Sequence, residues 1–428
     1  MIQFLMGLSS LNLIPLVGLV GGAIFYNSPP VAIFAALLWL MRAGYGLRLP
    51  VRLAATWVTI FGVACAGVLF NGAFDPLVMR QIVVMAVLFV TTWVLYMEAN
   101  RVLIMSYRTS VRLLVVYLVV GGIFLLSPRL HYELFSRWLL PGGSLTQFGI
   151  GSTPRCSFLQ SEPRVAAAAI GATLMPLPVA RCMTSPTGGS YAAVAAGIVC
   201  LLVTHCLTGL LLVLLIAGLL LAGSRVMLFA ALAINVVFFC WLAFQGRAIH
   251  NHGESFTTYL ARWSDRTSIP VLFSSTDDLA ESIDQSAAAV DAFISAPGFG
   301  LGIGGFGRFY LQEALKAGTT DPVLRNYLRG ASVVVPGTSN FPLRIAGEAG
   351  VCGLVLVLAL LGWLWWFAYR PACAQAHLEQ MALRYTTAAM IVSFLSISTL
   401  LNPFFFATVV LLGQFNRAAS VSPQTVAG

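Results

Sequence analysis

Long apolar stretches separated by short polar connections run through most of this chain. About twelve of them approach the ~20 residues that an α-helix needs to cross the hydrocarbon core of a bilayer. They lie at roughly 8–25, 29–41, 51–70, 81–98, 112–126, 164–180, 190–204, 207–222, 226–244, 349–368, 386–401 and 403–416. The pattern predicts an all-α integral membrane protein, with about 12 transmembrane helices in one polytopic domain over residues 1–428.

Two polar segments, 127–163 and 245–348, interrupt this pattern and hold most of the acidic residues of the chain. Long segments of this kind between regular elements usually carry function. The longer segment contains an amphipathic helical pattern, with acidic residues around the rest of the helix. Its apolar positions at helical spacing are Leu279, Ile283, Ala287, Val290 and Ile294. We expect this helix to pack on the membrane domain through that apolar face.

The composition indicates that the chain is embedded in a lipid bilayer. Hydrophobic residues make up 59% of it and charged residues only 9%, whereas an ordinary soluble domain has about 25% charged residues. The net charge of +9 comes from arginine, because Lys316 is the only lysine. A membrane topology accounts for where these arginines lie, so nucleic acid is not expected as a partner.

The arginines divide the connections between apolar stretches into two kinds. The connections "YNSPP", "NGAFDP", "TH" and "NP" contain neither Arg nor Lys, and the alternate connections are basic. The basic positions are Arg42, Arg48, Arg52, Arg101, Arg108, Arg112, Arg181, Arg225, Arg370, Arg384 and Arg417. Because cytoplasmic loops carry the excess of Arg and Lys, this distribution predicts cytoplasmic N- and C-termini, and periplasmic segments at 127–163 and 245–348. The N-terminus lacks the basic start and cleavage site of a signal peptide, which predicts a retained first span.

Cysteine and histidine positions do not form a metal-binding pattern. Cysteines in or beside apolar runs are expected to be buried thiols of structural importance; they are Cys65, Cys200, Cys206, Cys240 and Cys352. His250, His252 and Glu254 alternate along the chain, so they would share a face only in an extended segment. No second ligand cluster accompanies them, and the sequence predicts neither a metal site nor a cofactor.

The stretch "PGFGLGIGGFGR", residues 297–308, has the G-x-G-x-x-G spacing at Gly300, Gly302 and Gly305. A dinucleotide site needs a strand before these glycines and a helix after them. Here the stretch follows a predicted helix in a periplasmic segment, so a dinucleotide site is not expected. Two interpretations stay open, a tightly packed turn and a turn whose exposed N–H groups approach an anion.

Three motifs together resemble the bacterial O-antigen polymerase and O-antigen ligase superfamily. They are the "PGFGLGIGGF" turn after a loop helix, "SNFPLRIAGEAGVCGLVLVLALL" at the start of the next span, and "RCSFLQSEPRVAAAA" at the start of a middle span. The resemblance covers roughly residues 150–370. It implies a polytopic glycosyltransferase of the bacterial inner membrane, in polysaccharide and lipopolysaccharide biosynthesis.

The resemblance also implies the substrate and the partners. Such proteins move a glycan from undecaprenyl diphosphate to an acceptor sugar hydroxyl at the periplasmic face. The implied partners are therefore an undecaprenyl-diphosphate-linked oligosaccharide, the lipid bilayer, and a chain-length regulator and a flippase of the same pathway. The chemistry requires cations for the diphosphate and a group that accepts the hydroxyl proton.

Arginine suits the diphosphate because its guanidinium binds phosphate oxygens through two donors and stays charged. The first candidates are Arg155, Arg164 and Arg344, followed by Arg262 and Arg266. For the proton acceptor, the carboxylates near predicted membrane boundaries are Glu348 and Glu162, and each has an ion pair with a neighbouring arginine as its alternative role.

Ser339 and Asn340 occupy the substrate-binding positions where the ligase branch has a His-Asn pair, and Ser339 departs from that pattern. We therefore expect a polymerase of lipid-linked repeat units, with a ligase to the lipid A core as the first alternative. A transporter or flippase for the same lipid is the second. That class is expected to show two related halves with broken helices, and the chain shows no internal repeat.

Overall fold

The computed structural model of the protein describes residues 51–71, 76–131, 133–134, 156–158, 163–204, 206–222, 276–317, 340–369, 376–394 and 403–421. Every regular element in these ranges is a helix. The prediction of an all-α fold is confirmed for this part of the chain.

The helices before residue 223 are α1 Val51–Asn71, α2 Pro76–Ala99, α3 Tyr107–Leu126, α4 Pro128–His131, α5 Pro163–Ala169, a π-helical turn Ile170–Leu174, α6 Pro176–Thr184, α7 Gly188–Val203 and α8 Leu207–Ala222. The later helices are α9 Thr276–Ser295, α10 Gly305–Ala317, α11 Phe341–Tyr369, α12 His377–Ser393 and α13 Pro403–Val421.

Two of these helices, α3 and α11, are long and apolar enough by length and composition to cross a membrane. A third candidate is α5 with the π-helical turn and α6, which together pass the same test but bend by 44°. The predicted spans at 51–70, 81–98, 190–204 and 207–222 overlap shorter apolar stretches within α1, α2, α7 and α8. Those at 386–401 and 403–416 fall on α12 and α13, which do not pass the test, and those at 8–25, 29–41 and 226–244 lie outside the described residues. The total of about twelve spans therefore stays a prediction.

Helix α12 is the centre of the described bundle. It packs against α6, α8, α11 and α13, and its residues are buried from Gln380 onward except for Arg384. The hydroxyls of Thr386 and Thr387 donate to the carbonyls of the residues four positions earlier, at 2.9 and 2.8 Å. These bonds satisfy polar groups on the buried part of the helix, so that part can be surrounded by apolar neighbours.

One end of the bundle carries arginine contacts, and we call it the Arg384 end. The Arg384 Nε donates to the Ala368 carbonyl at 2.8 Å, and its guanidinium lies 4.4 Å from the ring centre of Tyr369. The Arg181 guanidinium lies 4.5 Å from the ring of Tyr107. Both tyrosines pack on the same apolar cluster. Arg181 and Arg384, two of the arginines that the charge pattern assigns to the cytoplasmic side, thus lie at the same end.

The opposite end, which we call the Glu348 end, joins the start of α11 to the end of α12. The N–H of Phe341 donates to the Phe394 carbonyl at 2.9 Å, and the two rings stack with their centres 4.4 Å apart. This contact fixes the first turns of α11, which contain Arg344 and Glu348.

Helix α9 confirms the predicted helix in the segment 245–348. Of its predicted apolar face, Val290 is half-buried and Ile294 is 51% exposed, whereas the side chains of Leu279, Ile283 and Ala287 lie outside the described part of the structure. The helix lies against α11, and its described buried residues are Gln285, Ser286, Ala288, Ala289 and Ala292. A Cβ on Gly347 of α11 would lie 3.4 Å from the Cβ of Ala292, so the two backbones approach closely where both residues are small.

Candidate functional site

Helix α11 is broken at Gly350, where the backbone has φ 61° and ψ −155°. A side chain at this position would be strained in the left-handed region and would collide with the carbonyls of Pro297 and Gly298. Glycine is thus required here. The break falls directly after the turn that carries Glu348, within a helix long enough to span a bilayer.

The residues 297–304, which we call the glycine turn, are inserted into the hydrogen-bond ladder of α11 at this break. In an unbroken helix, the N–H groups of residues 351 and 352 would bind the carbonyls of residues 347 and 348. The turn supplies a substitute for each of these four groups, so none is left unpaired. The bonds, donor first, are Val351 to Pro297 at 2.8 Å, Cys352 to Gly298 at 3.2 Å, Leu301 to Gly347 at 2.9 Å and Gly302 to Glu348 at 2.9 Å.

Positive φ angles explain the glycines of this turn. Gly300, Gly302 and Gly304 have φ of 68°, 86° and 75°, a region that side chains disfavour. The Gly300 N–H donates to Ala296, the Gly302 N–H to the Glu348 carbonyl, and the Gly304 N–H to the Glu348 carboxylate. The interpretation as a packed turn is confirmed. The alternative of exposed donors is wrong for these three groups, because they already bind protein oxygens.

The glycine turn also contacts the end of α1. A Cβ on Gly67 would lie 2.7 Å from the Cα of Gly302, so the two backbones touch. The Asn71 side-chain amide donates to the carbonyls of Gly300 at 3.0 Å and Gly67 at 2.7 Å, and the rings of Phe70 and Phe299 stack at 5.2 Å. The turn is therefore clamped between α1 and α11.

Arg344 and Glu348 form an ion pair at the centre of this arrangement. The Arg344 Nε lies 3.4 Å from a carboxylate oxygen of Glu348, one helical turn away. Glu348 is 8% exposed, and the Arg344 side chain is 23% exposed. The carboxylate is thus compensated by a cation and a backbone N–H, as a buried charge requires. The ion pair considered as the alternative role of Glu348 does form, and it holds the carboxylate beside a partly accessible cation.

The structure describes two of the other predicted site residues, Asn340 and Arg164. Asn340 is 1% exposed and its side-chain oxygen accepts the N–H of Leu343 at 3.1 Å, so it caps the start of α11. Arg164 is exposed in the first turn of α5. The described residues thus bring Arg344, Glu348 and Asn340 together on one helix. The predicted residues outside the described ranges are Arg155, Glu162, Arg262, Arg266 and Ser339, with His250, His252 and Glu254.

Sequence reasoning missed the break at Gly350 and the amide of Asn71. The glycine spacing of "GEAGVCG" carries a signal for the break, since glycine weakens a helix interior. Asn71 carries no such signal, because its partner lies in a distant part of the chain.

No protein-family model and no curated protein sequence matches this chain. The functional argument therefore rests on the geometry of the residues described above.

A buried histidine and a buried cysteine lie near the two ends of the segment 127–163. His131 is 2% exposed and Cys156 is fully buried, with the Cys156 sulfur 3.8 Å from the His131 Nε2. Burial lowers the pKa of His131 to about 4 and raises the pKa of the Cys156 thiol to about 12. Both groups are neutral near pH 7, so they pack as core residues and do not form a reactive thiolate.

The cysteine prediction is only partly confirmed. Cys200 is buried, whereas Cys65, Cys206 and Cys352 are half-buried, and none of these four forms a disulfide. Cys240 lies outside the described residues.

The neutral His131 predicts that acid destabilises this part of the bundle. Below pH about 6.5 the unfolded chain binds a proton at His131 that the folded chain does not accept until about pH 4. The free energy of unfolding should therefore fall by about 3 kcal/mol between these values, since each pKa unit corresponds to about 1.4 kcal/mol. Thermal unfolding of the detergent-purified protein at pH 7 and pH 4.5 measures this loss.

The variant His131→Gln should lose less stability over the same range, whereas His377→Gln, which alters an exposed histidine of α12, should behave like the wild type. Equal losses in His131→Gln and the wild type would show that His131 is not the group responsible.

Proposed function

We propose that this chain is a multi-pass glycosyltransferase of the bacterial inner membrane that polymerises lipid-linked polysaccharide repeat units. In this proposal about 12 helices cross the membrane, both termini are cytoplasmic, and residues 127–163 and 245–348 face the periplasm. The substrate is a glycan on undecaprenyl diphosphate, and the product is a longer glycan that stays on the undecaprenyl diphosphate of the acceptor.

The observation that carries the proposal is the ion pair of Arg344 and Glu348 beside the break in α11. Ionisable residues within apolar helices are costly and usually functional. A helix that only crossed the bilayer would need neither the pair nor the inserted turn. A cation for a diphosphate and a carboxylate for a hydroxyl proton are the two groups that this glycosyl transfer requires.

The reaction assigns one task to each member of the pair. The acceptor hydroxyl oxygen attacks the anomeric carbon of the donor glycan, and a new glycosidic bond forms as the bond from that carbon to the diphosphate breaks. The bonding electrons leave with undecaprenyl diphosphate, and Glu348 accepts the hydroxyl proton. A protonated Glu348 no longer attracts Arg344, whose charge then stabilises the leaving diphosphate.

Further groups of the proposal come from in or beside the two segments that the proposal assigns to the periplasm. Arg155 and Arg164 are additional candidates for the diphosphate, with Arg262 and Arg266 after them, and Glu162 is the second carboxylate. Ser339 and Asn340 precede the pair on the chain. The cap made by Asn340 favours a role in holding the start of α11, from which Arg344 projects.

Deletion of the gene is expected to leave cells with a single repeat unit on their surface lipid in place of a long polymer, because one unit can be transferred without polymerisation. Electrophoresis of the surface polysaccharide distinguishes the two. The wild-type gene should restore the ladder of lengths, and Glu348→Gln, which keeps the size of the side chain but accepts no proton, should not.

Loss of every capped product on deletion would contradict the polymerase and would favour a ligase or a flippase. A normal ladder from Glu348→Gln at a normal level of folded protein would exclude Glu348 as the proton acceptor, and Glu162 would be tested next.

A further inference from the structure

Glu348 is held from three directions, and two of them come from the glycine turn. The Gly302 N–H binds the main-chain carbonyl of Glu348 at 2.9 Å, and the Gly304 N–H binds its carboxylate. Arg344 supplies the third contact. One turn therefore fixes both the backbone and the functional group of the same residue.

Helix α11 cannot provide this support by itself. Its own ladder is interrupted at Gly350, immediately after Glu348. The carbonyls of Gly347 and Glu348 bind the turn and not the next turn of the helix. A displacement of the glycine turn would therefore move Glu348, whereas in an unbroken helix it would not.

Asn71, at the end of α1, holds the glycine turn in place. The Asn71 amide bridges the carbonyls of Gly300 and Gly67, and thereby ties the turn to the helix that it touches at Gly302. Asn71 itself is exposed, and its amide bonds go to α1 and to the glycine turn. It can be replaced without opening a cavity in the core.

We infer that Asn71 is a positioning residue for Glu348, and that it acts through the glycine turn. The inference rests on the proposed function, because it assumes that Glu348 accepts the proton of the acceptor hydroxyl. Loss of the Asn71 amide leaves the carbonyl of Gly300 without this partner and loosens the turn. The Gly304 N–H then no longer holds the carboxylate in the orientation that proton transfer needs.

The test compares turnover and apparent affinity in purified variants. The probe is the undecaprenyl-diphosphate-linked repeat unit isolated from cells that lack this gene. Asn71→Asp keeps the shape of the side chain and removes its N–H donors, and Asn71→Ala removes the side chain without adding charge. Both should lower kcat about tenfold or more at unchanged KM, since small errors of placement slow a reaction strongly without weakening binding.

Two further variants separate positioning from folding. Asn71→Gln retains an amide donor and should recover part of the lost kcat. Asn416→Asp removes a comparable side-chain donor at the Arg384 end, where Asn416 binds the Tyr96 hydroxyl at 2.9 Å, and it should leave kcat unchanged. All rates are expressed per folded protein, measured by size-exclusion chromatography.

The inference and the proposed function fail in different ways. If the wild type makes no polymer from the isolated lipid, the proposed function is wrong, and the inference about Asn71 is wrong as well. If the wild type is active and Glu348→Gln is not, three results overturn the inference alone: a normal kcat in Asn71→Asp and Asn71→Ala, a raised KM with normal kcat, or no recovery in Asn71→Gln.

Discussion

Replacement of Arg344 by alanine is expected to reduce polymer formation per folded protein by tens to hundreds of fold. A charge-assisted hydrogen bond to a phosphate oxygen contributes about 1.5–3 kcal/mol, and each 1.4 kcal/mol of lost transition-state stabilisation lowers the rate about tenfold. The ion pair places this arginine, 23% exposed, beside the Glu348 carboxylate, to which the proposed reaction assigns the proton. Arg344→Lys should recover only part of the loss, because an ammonium keeps the charge and loses the planar pair of donors.

The measurement requires both the polymer ladder and the amount of folded protein for Arg344→Ala, Arg344→Lys, Glu348→Ala and the double variant. If the pair only stabilises the fold, each alanine variant should lower the amount of folded protein, and the double variant should be less harmful than the two losses added together. A normal ladder from Arg344→Ala at a normal protein level would remove Arg344 from the diphosphate site. Arg155 and Arg164 would then be the next candidates.

Gly302→Ala should have the second large effect, a strong loss of folded protein. The new Cβ would lie 2.6 Å from the Val68 nitrogen and 2.8 Å from the Gly67 carbonyl carbon, both of them backbone atoms of α1. The φ of 86° adds strain, since a left-handed conformation costs a residue with a side chain about 1–2 kcal/mol. Overpacking adds about 1–3 kcal/mol. Neither α1 nor α11 can move away without breaking the inserted turn.

Thermal unfolding of the purified variants measures this effect, with Gly298→Ala as the matched control in the same turn. A Cβ on Gly298 meets nothing within 4 Å, so its stability should stay close to that of the wild type. Gly305→Ala should be milder than Gly302→Ala, because its near contact at 2.9 Å is a side-chain atom of Leu301. Equal stability of the Gly298 and Gly302 variants would contradict the close approach of the turn to α1. NAD or ATP should bind none of these proteins.

Local pattern predicted much of what the described residues show. The helical character follows from long apolar runs, because a backbone surrounded by lipid must satisfy its hydrogen bonds within each segment. The helix at 276–295 follows from its periodicity. The Arg344–Glu348 pair follows from a spacing of four residues, which places two side chains on one face of a helix. The absence of a preceding strand argued against a dinucleotide site at the glycine spacing but left two interpretations open, and the structure decided for the packed turn.

The buried face of α9 could not be obtained from hydrophobicity. Ile294 is more apolar than Ala292, yet Ala292 is the residue that α11 covers. The distance between the two helix axes selects the side chains that fit, and that distance is set by Gly347 on the partner helix. In the same way, His131 and Cys156 become neighbours only through tertiary packing: the Cys156 N–H binds the Val203 carbonyl at the end of α7, and the His131 ring packs on Phe124 of α3.

The sequence by itself determined that this chain forms apolar helices and that a cation and a carboxylate share the start of one of them. The tertiary structure alone decided how that pair is held. Asn71 and Gly300 are 229 positions apart, and Gly350 interrupts its helix only because the glycine turn is present to replace the lost hydrogen bonds. Spacing along a helix is a local property that few residues fix. An inserted turn instead requires the backbones of α1, the glycine turn and α11 to come into contact, although they are distant in sequence. No short stretch of sequence encodes these contacts.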